Sequence, residues 1–152
     1  MKFKNLSVKA LSFIICISII TLSSFVFAGD MLTASHDCSR FYMPGDVQTV
    51  TTVIEYTGEV TALGVQVVLP EGWSFASVYG DYEPAVKPET DSSGLIDFAW
   101  VEIPESPFSF TYTVAVPEGD SGEKEISSTM LYRRLGDELQ ESAIPNPLIL
   151  SR

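Results

Sequence analysis

The sequence predicts an all-β fold, an antiparallel β-sandwich of jelly-roll or immunoglobulin-like type with about eight strands. Three observations predict it. Residues Phe108, Phe110, Tyr112, Val114 and Val116 stand at strict period two, with Ser, Thr and Ala between them, so one face of a strand carries the apolar side chains and must be covered. Similar short runs recur along the chain, separated by turns rich in Pro, Gly and Asp. No segment sustains a helical period and nothing repeats at a fixed interval, which excludes a solenoid.

The elements follow in order. Residues 1–28 read as a secretory signal peptide: Lys2, Lys4 and Lys9 lead, an apolar run from Leu11 to about Leu22 follows, and Val26-Phe27-Ala28 supplies a small-residue cleavage site. The apolar stretch approaches the roughly 20 residues that span a bilayer, but the cleavage site favours processing, so membrane contact is confined to the segment before cleavage. Cys16 is not a lipidation site, because Ile15 precedes it and the apolar core continues beyond it. Residues 29–38 are short and polar and read as a flexible leader. The sandwich domain then occupies residues 39–150.

Within it, Pro44-Gly45-Asp46 turns into a Thr- and Val-rich strand over 47–56, and Thr57-Gly58-Glu59 leads to a second over 60–69. These two read as a hairpin. Pro70-Glu71-Gly72 opens a strand at 73–78 with Trp73 and Phe75 on one side; beyond Phe75 the register is ambiguous, because Val78 and Tyr79 are both apolar. Residues 80–94 form a long loop, with a short edge strand at 85–87. Strands follow at 95–101, 108–116, 125–133 and 138–144, and the apolar tail Leu148-Ile149-Leu150 is expected to dock as an edge strand, since Pro145 and Pro147 cannot donate ladder hydrogen bonds. Trp73 and Trp100 both fall in phase with core positions.

Removing the first 28 of the 152 residues leaves 124, enough for one hydrophobic core and therefore one domain. That removal takes three of the nine basic residues and none of the 20 acidic ones, so the net charge falls from −11 to −14. Such a surface excludes nucleic acid as a partner and fits solubility outside the cell.

Candidate chemistry is sparse. His36-Asp37-Cys38 is consecutive, and neighbours on an extended chain point to opposite faces, so it is no triad. Gly72-Trp73-Ser74-Phe75-Ala76 lacks the second glycine of a nucleophile elbow. The chain is read as non-enzymatic and without cofactor. Asp81, Glu83 and Asp91, with Glu89 and Asp97 nearby, are calcium candidates as hard oxygen ligands on a loop, although EF-hand spacing is absent and a solvated acidic loop is favoured. Tyr79 and Tyr82 are candidate binding residues, whose rings would stack on sugars. Cys38, left without a partner once Cys16 is removed, is expected to be buried and inert, or else to form an interchain disulfide or act as a reactive thiol.

The landmarks Tyr42-x-Pro44-Gly45-Asp46-Val47, Leu69-Pro70-Glu71-Gly72-Trp73, Phe110-Thr111-Tyr112-Thr113-Val114 and Pro117-x-Gly119 resemble those of sandwich modules in bacterial secreted and surface proteins, cohesin-like and carbohydrate-binding-module-like jelly rolls. No row of exposed tryptophans marks a cellulose platform. The resemblance implies a secreted or cell-surface module, with the periplasm an alternative site. The expected function is adhesion or assembly with another exported protein or with a second copy of itself; the alternative is binding of a polysaccharide.

Overall fold

The computed structural model describes residues 31–152; the signal segment 1–28 and Cys16 lie outside the described residues. Nine strands appear in order: β1 (Leu32–Cys38), β2 (Val47–Tyr56), β3 (Val60–Val68), β4 (Ser74–Tyr79), β5 (Leu95–Trp100), β6 (Phe108–Ala115), β7 (Lys124–Arg134), β8 (Gln140–Ala143) and β9 (Leu148–Leu150). They form two antiparallel sheets, one ordered β1-β2-β6-β4 and the other β5-β3-β7-β8, with β9 added to β7. The expected sandwich is the observed one.

Its core lies between the sheets. Phe108, Phe110, Tyr112, Val114 and Val116 are all buried, as their alternation requires, and meet Leu63, Val65 and Val67 of β3, Ile96, Phe98 and Trp100 of β5, and Ile126 and Met130 of β7. Phe98, Trp100, Phe110 and Tyr112 pack ring against ring, with centroids 4.9–6.1 Å apart. Both tryptophans are buried.

Three local expectations are corrected. Residues 32–38, read as flexible leader, form β1, which pairs with β2 along its whole length from Leu32↔Tyr56 to Cys38↔Val50. Only Ala34 among its residues is fully buried, so the strand carries too little apolar contrast to stand out, yet Leu32, Ala34, His36 and Cys38 do alternate with exposed neighbours. Second, β2 and β3 are not a hairpin: they belong to opposite sheets. Gly58, with φ 79°, permits the arch between them, and the arch is held from both sides, the Thr57 amide donating to the Met31 carbonyl and the Arg134 guanidinium donating to the Thr57 carbonyl. Third, the segment expected as an edge strand at 85–87 makes a single bridge, Val86 to Ala99.

The ambiguous register after Phe75 has a physical cause. A bulge between Phe75 and Ser77 lets β4 turn both Phe75 and Val78 towards the core while Tyr79 faces out. At the other end of the chain, β8 and β9 pair in succession with the same strand, β7, interrupted by Pro145-Asn146-Pro147. Leu150 is fully buried, and Ser151 bonds to Arg40 and Tyr42 beside the first sheet. The tail thus docks within its own domain and ties the two sheets together.

One end of the sandwich is closed by a polar cluster on the turn between β6 and β7. The buried Trp73 packs edge-on to Tyr42 and donates its indole N–H to the Asp120 carboxylate, which also accepts from the Lys124 ammonium and the Ser121 amide. Desolvation opposes the charged form of Asp120, but the hydrogen bonds from Lys124, Trp73 and Ser121 outweigh it and hold its pKa below the ordinary carboxylate value. A carboxylate so depressed stabilises the folded state above its unfolded pKa of about 3.9, and that contribution is lost as the pH falls through the folded value. Asp120→Asn should therefore melt below the wild type at neutral pH, and the gap should close as the pH drops from about 5 towards 2. Thermal melts across that range check this; a gap independent of pH would refute it.

Candidate interaction face

The outward positions of the two sheets differ in chemistry. On the β5-β3-β7-β8 sheet, register places Gly64 beside Ala99 and Leu131, Ala62 beside Arg133, and Val68 between Leu95 and Ser127. Gly64, Ala99 and Leu131, with Ala62 and Leu139 at the margin, line a shallow apolar depression of about 230 Å3. Gly64 makes it possible: a Cβ there would lie 3.0 Å from the Phe98 carbonyl oxygen and against the Ala99 and Leu131 side chains. Leu139 at the margin is about half exposed, as are Val68 and Leu95 further along the same side of the sheet, while Val101, 79% exposed, lines a neighbouring groove with Trp100 and Tyr82. Glu141, opposite Leu131 on β8, puts charge beside the depression, and the Gln66–Asp97 pair separates it from Val68 and Leu95.

The outward side of the β1-β2-β6-β4 sheet is hydroxylated instead. Thr49 lies opposite Thr113 and Thr51 opposite Thr111, while Ser77 and Tyr79 of β4 continue the same two rows. The Thr51 and Thr111 hydroxyls bond to each other at 3.1 Å, and those of Ser77 and Thr113 at 2.7 Å.

The residues singled out from sequence are scattered. Tyr79 ends β4 and faces solvent, 49% exposed. Tyr82 is 44% exposed, but its ring packs on Phe108 and its carbonyl accepts the Trp100 indole N–H, so it covers the core from the loop and does not join Tyr79 in a platform. With Asp81, Glu83 and Trp100 it lines an open groove of about 370 Å3. Glu83 is paired with Lys87. Asp91 sits at the other end of β4, its amide donating to the Phe75 carbonyl, so the three acids are not convergent. Among the described residues, no three His, Cys, Asp or Glu side chains are grouped to hold a metal ion.

Cys38 ends β1 and is partly buried; burial raises its thiol pKa, a hydrogen bond with Gln48 opposes the rise, and the Asp37 carboxylate adds to it. It lies with His36, Arg40, Asn146 and Leu148 in an open groove of about 440 Å3 between the β1 edge and the tail. There the His36 imidazole donates from Nε2 to the Asn146 carbonyl at 2.9 Å, holding the Pro145-Asn146-Pro147 break between β8 and β9 against β1.

The sequence reading missed both outer faces. Each is assembled across strands remote in sequence, and its signal was limited to the small or hydroxylated residues that alternate with the core positions, such as Thr49, Thr51, Thr111 and Thr113.

No family model and no curated protein matches the chain. Among solved structures it is similar to a type II cohesin domain from the cellulosome of Acetivibrio cellulolyticus, at 10% identity and a TM-score of 0.51, covering 78% of this chain and 95% of that one. It is also similar to a DUF4466 family protein from Parabacteroides merdae, at 15% identity and a TM-score of 0.41, covering 78% of this chain and 45% of the other. The first similarity shows that the fold is a cohesin-like β-sandwich.

Proposed function

We propose that the chain is an exported, non-catalytic module that binds another protein through the outer face of its β5-β3-β7-β8 sheet. The observation that carries this reading is the apolar depression at Gly64, Ala99 and Leu131, with Ala62 and the half-exposed Leu139 at its margin. An apolar recess bordered by polar and charged positions, here Gln66, Asp97, Arg133 and Glu141, suits a protein partner, an apolar anchor filling the depression and polar contacts surrounding it. The non-catalytic reading is supported by the engagement of the only histidine, His36, with Asn146 and by the raised thiol pKa of Cys38, neither arranged as nucleophile and base. Placement outside the cell is supported by the signal-like N-terminal segment and by the use of the same architecture in a cellulosome.

The test is capture. Immobilised domain is exposed to the exported proteins of the source organism, beside a Leu131→Arg variant with unchanged melting temperature. We expect a discrete protein to be retained by the wild type and lost, at least tenfold, with the variant. Equal retention by both would contradict the proposal, as would no retention. If the wild type sediments as a dimer and Leu131→Arg as a monomer, the occupant is a second copy of the chain.

A further inference from the structure

Independently of the apolar face, we propose that the opposite outer face, the hydroxyl ladder of the β1-β2-β6-β4 sheet, binds a neutral polysaccharide, one sugar ring stacked on Tyr79 and the chain laid across Thr111 and Thr51. Register aligns Asp37, Thr51, Thr111 and Tyr79 in one row across all four strands, and Thr49, Thr113 and Ser77 in the next. At about 4.8 Å between strands the longer row spans roughly 14 Å, the footprint of a short oligosaccharide. Each hydroxyl is both donor and acceptor. The Thr51–Thr111 bond fixes the orientation of these two partly exposed hydroxyls and leaves further lone pairs for a ligand, while Thr113 is buried and bonds to Ser77. Threonine side chains are stiff at χ1, so little side-chain entropy is lost on binding.

The charge of the face selects the ligand. In a chain with 20 acidic residues, the outward positions of these strands beside the ladder, Ser35, Val47, Val53, Ser109 and Ala115, are uncharged, and the carboxylates stand at its margins, at Asp37 and Glu55. The ladder positions themselves carry no cation for an anionic polymer; Lys87, which lines a recess with Ser77, is paired with Glu83, and exposed apolar surface is found at Val47 and the Tyr79 ring. An uncharged, hydroxyl-bearing chain matches the ladder, with the half-exposed Tyr79 ring offering the apolar surface that the C–H face of a sugar requires.

Affinity electrophoresis in gels containing xyloglucan, mixed-linkage β-glucan, galactomannan or xylan tests the proposal. We expect retardation by at least one of these polymers, lost on Tyr79→Ala and weakened at least tenfold by Thr51→Val with Thr111→Val, a nearly isosteric pair that keeps strand propensity and whose folding is checked by its melting temperature. Tyr82→Ala and Leu131→Arg should leave retardation unchanged, which separates this face from the groove beside Trp100 and from the protein-binding face. Migration unaffected by all four polymers would overturn the proposal. So would retardation that survives the Tyr79 and Thr51/Thr111 variants, or that depends on Tyr82.

Discussion

Phe110→Ala is expected to unfold the domain or bring it to the edge of unfolding. The ring is buried at the centre of β6 and contacts Phe98, Trp100 and Tyr112 with centroids 4.9–6.1 Å away, so its removal leaves a cavity that three rigid aromatic neighbours cannot fill. Truncating a buried Phe costs about 3–5 kcal/mol, against the roughly 5–15 kcal/mol that stabilises a domain. With about 4 °C lost per kcal/mol, the melting temperature should fall by more than about 10 °C. A variant melting within a few degrees of the wild type would show that β6 does not occupy the centre of the core.

Deleting residues 145–152 should have an effect of similar size. The deletion removes β9 with the fully buried Leu150, uncovers the β7 segment Lys124–Ile126, and abolishes the bonds from Ser151 to Arg40 and Tyr42 and from His36 to Asn146. Loss of one buried Leu alone costs about 2–5 kcal/mol. Here an edge of unpaired backbone is exposed as well, which favours aggregation. The expected result is a truncated chain that is unfolded, or folded with a melting temperature lowered by more than about 10 °C and prone to aggregate. Unchanged stability in a monomeric truncated protein would mean that the tail does not close the sandwich.

The core was legible because each strand buries one face, so alternation reports the inward residues regardless of partner. That is why Phe108 to Val116 could be assigned without a structure. The same property hides topology: β2 and β3 bury the same residues whether they form a hairpin or arch across the core, and the choice is made by contacts of Thr57 with Met31 and Arg134, which are distant in sequence. An edge strand such as β1 presents little apolar contrast and reads as leader. The bulge at β4 breaks period two, which is why Val78 and Tyr79 competed for one face.

The surfaces were less legible than the core. Residue type drew attention to Tyr82 and to the acids of the 80–94 loop, because aromatics and carboxylates stand out one at a time. The two outer faces draw on residues that are individually unremarkable. Gly64, Ala99 and Leu131 come from three strands, and Thr51 and Thr111 meet across sixty positions. Only register brings them together, and register is settled by the buried face on the other side of each strand.

The central claim is that the β5-β3-β7-β8 sheet presents the protein-binding face. Amide hydrogen exchange on the captured complex tests it most directly. The account predicts slower exchange, relative to the free domain, in residues 62–68, 95–101 and 127–133, with residues 49–53 and 109–115 unchanged. Protection confined to β2 and β6, or to the β1 edge, would contradict it.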